Sequence, residues 1–101
     1  MKRQRSAMAA AVVLALCAAP AAADPARDLA AACANCHGTD GRSLGVVPSL
    51  AGQSKANLLQ SLREFRDGKK AATIMHQIAK GYSEPQLELL SDYFSRQSAA
   101  R

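Results

Sequence analysis

The residues best equipped for chemistry sit together in "CANCHGTDG", from Cys33 to Gly41. Two thiols separated by two residues, with an imidazole immediately after, suit three kinds of chemistry. A dithiol redox couple would use Cys33 and Cys36, and needs a preceding strand and an α/β setting. A tetrahedral zinc site would need two further ligands at workable spacing. Covalent haem attachment uses both thiols, which add across the porphyrin vinyl groups, and leaves the adjoining imidazole placed to bind the iron. Beyond this stretch the chain offers few other soft or imidazole ligands: His76, Met1, Met8, Met75 and Cys17.

How many of these belong to the folded domain depends on the first 23 positions. Lys2, Arg3 and Arg5 precede an apolar run from Ala7 to Ala19, and small residues, Ala21 and Ala23 among them, precede the first acid, Asp24. This three-part layout predicts a secretory signal peptide over 1–23, cleaved between Ala23 and Asp24, and a single domain over 24–101. The alternative is an uncleaved membrane anchor, for which the run falls short of the roughly 20 apolar residues a span needs. Leu16 occupies the position where lipidation at Cys17 would want a small residue, and no paired-arginine signal is present.

Removing that segment changes the chemistry on offer. Cys33 and Cys36 become the cysteines of the mature chain, Met75 its methionine, and His76 its second histidine. The zinc reading is then short of ligands. Of the 13 basic residues set against 8 acidic ones, three lie in the leader, so the domain is close to neutral. Neither an arginine-rich nor an aromatic-interleaved patch is present, which argues against a nucleic-acid binder. A domain of this size buries only about 60% of its extended surface and needs a staple or filler. A bridge between Cys33 and Cys36 would close too short a loop to serve.

The elements that must position these residues read as helices. Asp24 can cap a helix with Pro25 at its first position, and Ala26, Leu29, Ala30 and Cys33 then share a face, so that this helix delivers the cysteines. From Gly38 to Gln53 the glycines, Pro48 and the lack of period predict a long loop that wraps something. Ser54 caps a second helix carrying Leu58, Leu59, Leu62 and Phe65, stopped by Gly68. A short helix is expected from about Thr73 to Lys80, ended by Gly81. Ser83 and Gln86 form a possible capping box for the last helix, whose apolar face holds Leu87, Leu90 and Phe94, flanked by Leu89 and Tyr93. With no strand pattern, the thiol-redox setting is missing, and covalent haem is the reading the residues favour.

"CANCHGTDG", "PSLAGQ" and "IMHQIAKGYSEPQLELLSDYF" together resemble the class I c-type cytochromes over nearly the whole mature chain. The segment "TIMHQIAKGYS" makes the likeness greatest to the haem subunit of flavocytochrome c sulfide dehydrogenase. The resemblance implies an all-α class I cytochrome c fold, about four helices round one covalently attached haem c. It implies cofactor-binding roles for Cys33, Cys36, His37, Pro48 and Met75. Cys33 and Cys36 would carry the thioethers, and His37 and Met75 would be the two iron ligands, with His76 as a rival to Met75. The Pro48 carbonyl would accept from the His37 ring. Leu50, Leu58, Leu62 and Ile78 would pack on the porphyrin, and Tyr93 and Phe94 would cross the first helix where Ala26, Ala30 and Ala31 permit close approach.

The function so implied is periplasmic one-electron transfer, with no catalysis by this chain alone. The partner would be a flavin-containing sulfide dehydrogenase subunit that passes electrons to the haem. A freely diffusing carrier to a terminal oxidase or other acceptor is the alternative, and a peroxidase-like haem enzyme a more distant one. Arg42, Lys55, Lys69, Lys70 and Lys80 could form a basic rim for an acidic partner, although "GKK" also reads as a solvated turn.

Overall fold

The computed structural model describes residues 24–100; the expected signal segment, 1–23, lies outside the described residues. Helix α1 covers Pro25–Ala31 and α2 Ala34–His37, followed by a 3₁₀ turn, Thr39–Gly41. After a loop come α3, Lys55–Arg66, then α4, Met75–Lys80, and α5, Glu84–Ser95. The described residues contain no strand.

The helix starts follow from side-chain caps. Asp24 is extended and its carboxylate accepts from the backbone N–H groups of Ala26 and Arg27, at 3.1 and 3.3 Å, ahead of Pro25. Ser54 accepts from the Asn57 N–H at 3.1 Å. In the capping box of α5 the Ser83 hydroxyl accepts from the Gln86 N–H, while the Ser83 N–H donates to the Gln86 side chain at 2.8 Å. Each such cap stabilises its helix by about 1 kcal/mol.

Two expectations need adjustment. The first helix is divided, because the Cys33 N–H bonds to the Ala30 carbonyl at 3.0 Å, three residues back, and tightens the chain before α2 begins. Helix α4 starts at Met75 instead of Thr73: Ile74 has a non-helical φ of −138°, and no side chain caps the start. Thr73 and Ile74 are both β-branched, which disfavours extending the helix backward through them.

Helix α1 packs across α5, and α3 packs on both α4 and α5. Ala30, Leu58, Leu90 and Phe94 form the central cluster, with Leu29, Cys33, Leu50, Leu62, Tyr82 and Tyr93 packed against it. Leu87 is wholly buried, and the buried Ser91 hydroxyl is satisfied by donating to the Leu87 carbonyl at 2.8 Å. Ala26 and Ala30 allow the close approach of α1 to α5, as expected, but Ala31 is exposed and takes no part. Among the described residues, four of the eight buried apolar ones are alanines, Ala26, Ala30, Ala51 and Ala79, so protein side chains alone give a thin core there. At the surface, Arg63 and Arg66 of α3 both pair with Glu84 of α5.

Candidate haem site

The attachment motif is built on one helical turn. Cys33 sits at the N-cap position of α2 without a side-chain cap bond, Cys36 lies within the helix and His37 ends it. A spacing of three residues brings the two sulfurs to the same side of the turn. Both thiols are free, Cys33 half-buried and Cys36 exposed. Burial pushes the Cys33 thiol up, and the neighbouring Cys36 adds to the rise.

His37 is buried, 9% exposed, and its Nδ1 lies 2.6 Å from the Pro48 carbonyl oxygen. A carbonyl can only accept, so Nδ1 carries the proton and donates, which leaves the lone pair on Nε2. This is the arrangement a metal-binding histidine uses, its second nitrogen held and made more basic by a backbone acceptor. Pro48 is in turn held by its loop. The Leu50 and Ala51 N–H groups both donate to the Gly41 carbonyl, at 2.8 and 3.2 Å. The Ser43 N–H donates to the Ser49 hydroxyl at 3.0 Å.

The turn after His37 is tied to the last helix. Asp40 has a φ of +53°, a left-handed conformation that Asp tolerates better than most residues. Its carboxylate accepts from the Tyr93 hydroxyl at 2.6 Å and pushes the phenol up. Tyr93 packs edge-on against Phe94 at 5.2 Å, and the Phe94 carbonyl accepts from the Gly52 N–H at 3.0 Å. The sequence offered a partial signal for this link: the tolerance of Asp for such a turn was legible, but the pairing of Asp40 with Tyr93, 53 positions on, was not.

Met75, half-buried, opens α4. His76, its helical neighbour, points roughly 100° away. The His76 side chain is half-buried, and its Nδ1 is buried without a hydrogen-bond partner. Of the four residues expected against the porphyrin, Leu58 is in the core cluster and Leu50 and Leu62 pack on it, whereas Ile78 stays 38% exposed. In the expected basic rim, Arg42 is drawn toward Asp40 at 3.8 Å and bonds the Ala100 carbonyl. Lys70 lies over the Phe65 ring, 5.1 Å from its centre, and bonds Ser61.

These observations separate the three chemistries. Among the described residues no group of three or more His, Cys, Asp or Glu gathers that could hold a metal ion. A strand to carry a dithiol redox motif is likewise lacking among them. The residues do fit haem: two free thiols on one turn, a buried imidazole with its Nε2 lone pair free, and a thin core that an apolar cofactor would complete. When bound, haem supplies an iron that carries one electron at a time.

An all-helical fold arranged about a Cys-x-x-Cys-His turn defines the class of covalent haem proteins. The chain belongs to the cytochrome c family, which it matches over residues 23–94. It therefore carries one covalently attached haem c. It is 40% identical over 70 residues to the cytochrome subunit of sulfide dehydrogenase from Chlorobaculum tepidum, covering 69% of this chain and 64% of that one. It is 37% identical over 81 residues to the thiosulfate dehydrogenase electron acceptor of Thiomonas intermedia, covering 78% of this chain and 37% of that one. Among solved structures, the Acidithiobacillus ferrooxidans cytochrome c4 matches with a TM-score of 0.61 at 41% identity, over 63% of this chain and 37% of that chain. The chain thus spans between about a third and two-thirds of the length of these relatives. No helix among the described residues is long and apolar enough to cross a membrane.

Proposed function

We propose that this cytochrome is the haem subunit that accepts electrons from a sulfide-oxidising flavoprotein in the periplasm, reached after removal of residues 1–23. Cys33 and Cys36 hold the haem as thioethers. His37, through Nε2, and Met75 are the residues that would hold the iron. The observation that carries the ligand reading is the 2.6 Å bond from His37 Nδ1 to the Pro48 carbonyl, which fixes the tautomer and aims Nε2.

The protein's part in the chemistry is to hold and to close. The Pro48 carbonyl keeps the proton on Nδ1 and strengthens Nε2 as a donor. Ligation by the Met75 thioether together with His37 would favour a high potential, as one-electron carriers need. Neither His37 nor Met75 would have to move or exchange a proton in holding the group, so the site suits one-electron transfer. The half-buried Leu50 and Leu62 pack against the core cluster and extend its apolar surface.

The sulfide partner is supported by the likeness to the Chlorobaculum tepidum subunit. A second reading, a carrier serving another sulfur-oxidising donor, is supported by the likeness to the thiosulfate dehydrogenase acceptor. Purification of the haem protein from its native source distinguishes them. Recovery of a flavin-containing protein in fixed ratio supports the subunit; isolation of the cytochrome alone, without flavin, favours the diffusing carrier.

A further inference from the structure

The loop that carries Pro48 is pinned at both ends to two consecutive residues of α5. At its start, the Asp40 carboxylate accepts from the Tyr93 hydroxyl at 2.6 Å. At its end, the Gly52 N–H donates to the Phe94 carbonyl at 3.0 Å. Between these points the Leu50 and Ala51 N–H groups close the loop on the Gly41 carbonyl, at 2.8 and 3.2 Å. Pro48 therefore hangs from a frame whose far side is α5, and its carbonyl is what the His37 Nδ1 proton meets, at 2.6 Å.

The pin at Asp40 is made against two local preferences. Among the described residues Asp40 is the one non-glycine residue with a positive φ, +53°. Such a conformation persists only where the surroundings impose it, and it gathers at functional sites. The Tyr93 ring lies half-buried, edge-on to Phe94 at 5.2 Å, where a phenylalanine would pack as well with no hydroxyl to satisfy. Arg42, 3.8 Å from the other carboxylate oxygen, is beyond hydrogen-bond reach, so the short contact of Asp40 is the one to Tyr93. Asp40 stands three residues after His37 and directly before Gly41, so its conformation decides where the Gly41 carbonyl, and with it the loop, is placed.

We infer that Asp40 and Tyr93 are positioning residues that act through the Pro48 carbonyl on His37, keeping the Nδ1–Pro48 bond short and so lowering the potential of the haem that His37 would ligate. The inference rests on the reading of His37 as an iron ligand. A short bond to a carbonyl makes Nε2 a stronger donor, and a stronger donor favours the oxidised, more positively charged iron. Removing the Tyr93 hydroxyl frees the start of the loop from α5. The bond at His37 then lengthens, Nε2 weakens as a donor and the potential rises.

The test takes two readings on the holocytochrome: its one-electron equilibrium with a redox dye of known potential, and, by proton NMR of the reduced protein, the exchange of the His37 Nδ1 proton with water. Tyr93→Phe removes the hydroxyl and no charge. It is expected to shift the equilibrium at least about threefold toward the reduced cytochrome, which for one electron is about 28 mV. The same variant is expected to speed exchange of the ring proton by at least about tenfold. Ser83→Ala removes the cap of the same helix, away from the loop, and is expected to leave both readings as in wild type. Asp40→Asn retains a side-chain oxygen to accept from Tyr93 and is expected to keep the slow exchange. Either reading unchanged in Tyr93→Phe, or a shift toward the oxidised cytochrome, overturns the inference. An equal response in Ser83→Ala overturns it also, as a general loosening of α5, and so does exchange in Asp40→Asn as fast as in Tyr93→Phe. If the His37 ring proton of wild type exchanges freely and lacks the ring-current shift of a haem-bound imidazole, the ligand reading falls and the inference with it. A held proton in wild type that does not respond to Tyr93→Phe removes the inference alone.

Discussion

Replacing Gly41 with alanine tests how the loop that carries Pro48 is held. Gly41 has a φ of +79°, and a Cβ built there would lie 2.7 Å from Phe94 Cδ1 and 3.0 Å from both the Ala51 nitrogen and Leu50 Cβ. The left-handed conformation costs a non-glycine residue about 1–2 kcal/mol. Forcing a methyl into a packed contact adds about 1–3 kcal/mol, because the ring of Phe94 and the loop backbone must both shift. The total of about 2–5 kcal/mol corresponds to a fall of at least about 8 °C in the melting temperature of a domain this small. Two other glycines separate the causes. Gly68 also has positive φ, +73°, but nothing within 4 Å, so Gly68→Ala should show the conformational cost alone. Gly45 has neither feature, and Gly45→Ala should be neutral within about 0.5 kcal/mol. Thermal unfolding of the three holoproteins, followed by circular dichroism, gives the order Gly41 well below Gly68, and Gly68 below Gly45. The packing argument is refuted if Gly41→Ala melts with Gly68→Ala.

Met75→Ala is expected to give a haem protein that binds carbon monoxide readily and lacks the weak absorption toward the red that marks iron–methionine bonding, whereas His76→Ala keeps it; visible spectroscopy of both checks the choice between neighbours. Glu84→Gln should lower stability at neutral pH, because Arg63 and Arg66 hold the Glu84 carboxyl below its usual value. The stabilisation from a depressed folded value is fully present above the unfolded carboxylate range and is lost as pH falls from there through the folded value. The gap in melting temperature between wild type and Glu84→Gln is therefore open at pH 7 and closes below about pH 4.3.

The residues with local chemistry were readable without coordinates. The caps Asp24, Ser54 and Ser83 start helices where their side chains predict, since each satisfies backbone donors within three residues. The contact between His37 and Pro48 was expected from the family resemblance and is present at 2.6 Å. Other features depend on distant parts of the chain and were not legible. The break between α1 and α2 reflects a three-residue hydrogen bond that no residue type announces. Asp40 meets Tyr93, and Gly52 meets Phe94, only because α5 folds back beside the attachment turn. Ala31 shares its residue type with Ala30, but the rotation of α1 leaves one exposed and buries the other. Ile78 follows the apolar pattern of a core residue yet remains accessible to water.

The central claim is that this chain receives electrons from a separate flavoprotein and does not oxidise sulfide unaided. Mixing the oxidised holocytochrome with sulfide at low concentration, with and without the flavoprotein, and following haem reduction in time tests it directly. The account predicts rapid reduction only when the flavoprotein is present. Equally fast reduction without it, or a flavoprotein that neither binds nor accelerates reduction, contradicts the account.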